Sequence, residues 1–159
     1  MAWPAEAARR LVQPRSLALH NLHTGESINT AYWADGRYIP DAMRNISWLL
    51  RDFRTDQVHP IDPQLLDVVA HLCGRLGART PVHVISGYRS AQTNAMLAAT
   101  TDGVAQNSLH MEGKAIDIRV PGHRLNHVRA AAVSLRAGGV GYYPHSDFVH
   151  IDTGRVRTW

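Results

Sequence analysis

Apolar and polar residues alternate along Ser16–His20, with Leu17 and Leu19 on one face, and again from Glu26 to Trp33 after a Thr24-Gly25 turn signal. Period-two alternation on both sides of a turn predicts a β-hairpin over 16–33. Leu22 falls out of phase and marks the end of the first strand. Asp35-Gly36 closes the second strand with another turn, and Tyr38-Ile39-Pro40 leads away from it.

The period then changes. Met43, Ile46, Leu49, Leu50 and Phe53 follow helical spacing, which predicts a helix over 41–53. Asp62-Pro63 supplies an N-cap and a first-turn proline for a second helix, whose apolar face runs from Leu65 to Leu76 and stops at Gly77. Val82–Ser86 is a short apolar strand, and Ser90 caps a third helix through about Ala99. Residues 100–109 are polar and irregular. Lys114–Val120 alternates as a strand, 124–136 is helical, and Gly139–Tyr143 and Phe148–Asp152 form a closing antiparallel pair. This order predicts one α+β domain over 15–159, with a small antiparallel sheet and flanking helices, after a flexible entry segment at 1–14.

Composition narrows the classes. The chain has 159 residues, of which 45% are hydrophobic and 19% charged, enough for a packed core and too little charge for disorder. Its net charge of +4 and pI near 9.7 favour anionic partners: nucleic acid, a membrane surface or a bacterial wall polymer. The arginines are dispersed and no nucleic-acid motif is present, which lowers nucleic acid in rank. No run of about 18 apolar residues predicts membrane insertion. The first residues lack a charged and then apolar leader, so the chain is either cytosolic or a mature form with an initiating Met restored. The single cysteine, Cys73, falls on a helical apolar face and reads as a small core hydrophobe.

The candidate chemistry lies in two stretches, Asn107–Asp117 and His145–Asp152. Asp117 sits within the apolar run Ala115-Ile116-Asp117-Ile118, and His150 within Phe148-Val149-His150-Ile151. Either alone reads as a satisfied polar group in a core. Together they place two polar side chains in apolar strands of one small sheet, with His110 at the mouth of the first strand. Burying such groups is costly unless they pair or bind a metal. Two imidazoles and a carboxylate form a catalytic zinc set, with one coordination position left open.

Ser108-x-His110-x6-Asp117 with a later His150, preceded by Ser86-Gly87-Tyr88-Arg89-Ser90, resembles the zinc peptidases that include the bacterial D-alanyl-D-alanine metallopeptidases and the related hedgehog fold. The C-terminal part, Gly138-Gly139-Val140-Gly141-Tyr142-Tyr143-Pro144, then Phe148–Gly154 and Arg155-Val156-Arg157-Thr158-Trp159, is similar to the murein endopeptidase K subgroup. The resemblance covers 15–159 and implies a zinc-dependent, exported or periplasmic endopeptidase acting on peptidoglycan stem peptides. It also implies His110, Asp117 and His150 as Zn²⁺ ligands and Arg89 as the arginine facing substrate or a developing oxyanion. Asp147, three before the last ligand, matches the general base of related D,D-peptidases, and His145 matches a histidine of some relatives.

Alternatives stay open on the residues themselves. Asp147 is also an ordinary turn residue after Pro144. Asp152 points to the same face as His150 and is either the base or a group that orients a ligand. Glu112 and the His123/His127 pair read as surface residues. Rival functions are a D,D- or L,D-carboxypeptidase on wall peptides, an esterase or amidase with the same metal chemistry, or a zinc-containing module that binds peptidoglycan without cutting it.

Overall fold

A computed structural model describes residues 13–159; the greater part of the predicted entry segment lies outside the described residues. The first hairpin forms from β1 (Arg15–Asn21) and β2 (Ser27–Ala34), paired antiparallel. Asn21 ends β1: its Oδ1 accepts from the amides of His23 and Thr24, which folds the chain back. Asp35 and Gly36 both take positive φ, and this turn adds a two-residue strand, β3 (Arg37–Tyr38).

Helix α1 (Pro40–Leu49) is shorter than its apolar spacing predicts. Leu50 and Phe53 are apolar for other reasons. Leu50 is buried against the core outside the helix, and Phe53 stacks on His23 at 3.9 Å. Asp52 opposes continuation, because its Oδ1 accepts from the Arg54 amide and its own amide bonds to Gln57. Helix α2 (Pro63–Leu76) begins and ends as read: Asp62 caps Gln64, and Gly77 stops it at φ 64°. Strand β4 (Val82–Ser86), helix α3 (Ala91–Thr100), strand β5 (Ala115–Arg119), helix α4 (Leu125–Leu135) and strands β6 (Gly139–Tyr143) and β7 (Phe148–Asp152) follow, with a final two-residue strand, β8 (Arg157–Thr158).

The α+β class holds, and the sheet is larger than expected. Eight strands run in the order β3-β2-β1-β4-β5-β7-β6-β8. Two neighbouring pairs, β1–β4 and β6–β8, are parallel. The long connection through α1 and α2 gives β4 room to return alongside β1 in the same direction. Helix α1 packs on β2, α2 on β1, and α4 on β6 and β7, with α2 and α4 touching. Leu17, Leu19, Val84, Ile116, Ile118, Val149 and Ile151 face this helical layer and are at most 3% exposed. Burying one such side chain contributes about 1.5–3 kcal/mol. By alternation the polar side chains of the same strands turn to the opposite face, and these carry the site.

Candidate metal centre and cleft

Asp117 of β5 and His150 of β7 are direct cross-strand partners, so the pairing register brings them together. His110 arrives from a 3₁₀ turn, Leu109–Glu112, capped by Ser108, whose Oγ accepts from the His110 amide, and ended by Gly113 at φ 65°. All three are buried, at 3%, 5% and 9% exposure. His150 Nδ1 lies 2.9 Å from Asp117 Oδ1, and His110 Nε2 lies 3.3 Å from Asp117 Oδ2. One ligand atom from each residue falls within 4.8 Å of the others.

The far side of each imidazole is also engaged. His110 Nδ1 is 2.7 Å from the Gly87 carbonyl, which only accepts, so Nδ1 donates there and Nε2 is turned toward Asp117. His150 Nε2 is 2.9 Å from Asp152 Oδ2, which turns Nδ1 toward Asp117. Burial disfavours a charged His150, but hydrogen bonds to Asp117 and Asp152 outweigh it and hold its pKa up near 9. Burial also works against the ionised Asp117, and the two histidines overcome it to hold the carboxyl below the usual range. A buried carboxylate facing two imidazoles is a pocket that a divalent cation fits, since the cation takes the place of the proton on His150 Nδ1. The donor set therefore suits a metal ion.

Asp152 is fully buried and closed. Its Oδ1 accepts from the amides of Gly139 and Gly154 and from Arg157 Nη1, and its Oδ2 accepts from Arg157 Nη2 at 2.8 Å. Of its two predicted roles, the geometry matches orientation of His150 and leaves no oxygen free for a base.

Arg89 is placed by two neighbouring segments. A Cβ on Gly87 would lie 2.5 Å from the Leu50 carbonyl, so only glycine permits that close approach. The Tyr88 amide donates to Leu50 O, the Arg89 amide to His110 O, and the Ser90 amide and hydroxyl to Asp52 Oδ2. Arg89 Nη1 donates to Asn94 Oδ1 at 3.2 Å, while its Nε is buried with no partner among the described residues. Burial pushes its pKa down, opposed by Asp117. An under-bonded, desolvated guanidinium beside the cluster suits an oxygen anion.

The cluster lines a cleft of about 480 Å³. One wall is the segment 101–109; the other carries Tyr143, Phe148 and Trp159. Asp147 and His145 do not line it. Both are exposed on the turn between β6 and β7, where Asp147 takes φ 54° and pairs through Oδ2 with Arg119 Nε at 3.1 Å. The expected position for a base three before the last ligand is thus turned outward by the left-handed turn residue. Glu112 is on the surface, paired with Lys114. Sequence reading missed four residues of the cleft neighbourhood. Asp102 and Trp159 are on the walls, Arg157 grips Asp152, and buried Asn94 holds Arg89. Of these only Arg157 and Trp159 left a signal, in the C-terminal motif.

The family model described as peptidoglycan L,D-endopeptidase MepK matches residues 9–159. The chain belongs to this family. The MepK of Escherichia coli strain K12 is 50% identical over 157 residues, covering 98% of this chain and 86% of that protein. The protein named probable peptidoglycan L,D-endopeptidase MepK from Haemophilus influenzae is 47% identical over 148 residues, covering 92% and 80%. The MepK match spans the three clustered residues, Arg89 and the tail through Trp159. The chain is a peptidase of that family, and among the described residues no helix is long and apolar enough to cross a membrane.

Proposed function

We propose that this protein is a zinc-dependent peptidoglycan L,D-endopeptidase that cuts peptide cross-links between stem peptides, acting as one domain over 15–159 in the exported compartment where its substrate lies. The name shared by relatives about half identical over nearly the whole chain supports the substrate class. The observation that carries the chemistry is the buried convergence of His110, Asp117 and His150 on the cleft floor, each histidine with its second nitrogen already engaged. His110 Nε2, Asp117 and His150 Nδ1 would hold the ion, and zinc in such a set supplies a Lewis acid that polarises a carbonyl and acidifies water.

The chain's own residues do the remaining work. Arg89 binds a substrate carboxylate or the oxygen that gains charge at the scissile carbonyl. Asp152, held by Arg157, fixes the His150 ring. Proton transfer needs a carboxylate that is not held in an ion pair and faces the cleft. Asp147 faces Arg119 and Asp152 is closed, which leaves Asp102, on the cleft wall and without an ion pair among the described residues.

Purified sacculi incubated with zinc-loaded protein should release fewer cross-linked muropeptides, and a His110→Ala variant should leave them intact. An unchanged cross-link profile with the wild type refutes the endopeptidase reading. Loss of terminal residues without loss of cross-links identifies a carboxypeptidase instead.

A further inference from the structure

Trp159 is a large aromatic left 46% exposed on the wall of the cleft, with its ring centroid 5.2 Å from that of His150. It is not a loose tail. Its amide donates to Val140 O, and its carbonyl accepts from the Tyr142 amide. Its indole Nε1 donates to the Tyr143 hydroxyl at 2.7 Å, and the Arg157 guanidinium lies 4.7 Å from the ring centroid. Beneath it is Gly141, where a Cβ would lie 2.8 Å from the indole. Backbone, side chain and an obligatory glycine therefore fix the ring beside the metal cluster while nearly half of its surface faces solvent.

An aromatic surface kept wet at this cost in apolar exposure has a ligand's chemistry written on it. Arg89, under-bonded in the same cleft, disfavours a cationic occupant and favours a carboxylate close by, whereas Arg157 is already paired with Asp152. We infer that Trp159 is a specificity-determining platform that receives the aliphatic part of the stem-peptide residue next to the scissile bond, with that residue's carboxylate directed to a neighbouring guanidinium. The inference rests on the endopeptidase reading for the identity of the peptide. Tyr143 and Gly141 are positioning residues for the platform: one tethers the indole, and the other lets it lie flat on β6.

The test compares wild type, Trp159→Ala, Trp159→Phe and Gly141→Ala on cross-linked wall peptides, with zinc content measured for each. Trp159→Ala should raise KM by about tenfold, as for a lost aromatic contact, with kcat within about threefold and zinc content unchanged. Trp159→Phe should recover most of the loss. Gly141→Ala, which keeps the indole but displaces it, should raise KM like Trp159→Ala. In parallel, an uncross-linked stem tetrapeptide is titrated into the zinc-loaded wild type while the Trp159 indole N–H resonance is followed, assigned by its absence in Trp159→Phe. A saturable shift is expected. A fall in kcat that tracks lost zinc, with KM unchanged, would overturn the platform and make Trp159 a mere support for His150. A shift without any cleavage by wild type would refute the endopeptidase reading and leave the platform standing. Neither shift nor cleavage refutes both.

Discussion

Two histidine pairs lie at nearly equal spacing, one within the sheet and one made by a strand histidine and His110 of the 3₁₀ turn. His110 and His150 have ring centroids 5.1 Å apart; His20 of β1 and His83 of β4 have theirs 5.5 Å apart. Their surroundings differ in charge. Asp117 bridges the first pair and Asp152 grips it from behind. The second pair has Arg119 beside His83 in the strand register, and among the described residues the His20 ring bonds to the Ser27 hydroxyl. Carboxylates push the imidazole of His150 up, whereas burial, His20 and Arg119 push that of His83 down. Histidine density therefore does not make a metal centre. A carboxylate between the imidazoles is what completes a set that could hold a metal.

The largest break in that comparison is Asp117→Asn, which should make the first pair resemble the second. Zinc content should fall from about one ion per chain to near zero, with activity down roughly 10³-fold or more, checked by elemental analysis and muropeptide release. Next, Asp102→Asn should lower kcat by about 10²-fold with zinc retained, while Asp147→Asn stays within about threefold. The reverse order would return the base to Asp147. Asp152→Asn should weaken zinc affinity about 10–100-fold, read by competition with a chelator, while the protein still binds the metal at saturation.

The smallest effect sharpens the other side. His83→Gln should leave zinc content and kcat unchanged. His83 has a folded pKa below its unfolded value of about 6.5. Stability from its neutral form is therefore present above that value and lost as pH falls through the folded pKa. The variant should thus show a higher Tm than wild type at pH 5 and no difference at pH 8.

How much of this was legible in the chain depended on whether a residue's role was set locally. Strands β4, β6 and β7 are readable to the residue because they are short runs, the last two set off by the Pro144–Asp147 turn. Strands β3 and β8, at two residues each, are too short for a period to register. Helix α1 is shorter than the spacing predicts because Leu50 is buried in the core and Phe53 stacks on His23, contacts with neighbours distant in sequence that mimic periodicity. The clustered His110, Asp117 and His150 stood out because polar residues in apolar strands need a partner. The outward direction of Asp147 is not legible, because an offset from His150 says nothing about where a left-handed turn residue projects its carboxylate. Asp152 was readable as to face but not as to occupation. Its donors come from Gly139, His150, Gly154 and both ends of the Arg157 fork, and no single short-range pattern brings those together.

Asn94 holds more than Arg89. While its Oδ1 accepts from that guanidinium, its Nδ2 donates to the carbonyls of Ala105 and Gln106 in the 101–109 segment. All three of those bonds pass through one buried amide, so the wall and the cation form one mechanical piece. A peptide that spreads the 101–109 wall on entering also draws on the guanidinium it is about to meet. The width of the cleft and the aim of its charge are thus not separately adjustable, and a mutation that reshapes the wall to admit a bulkier peptide also re-aims Arg89.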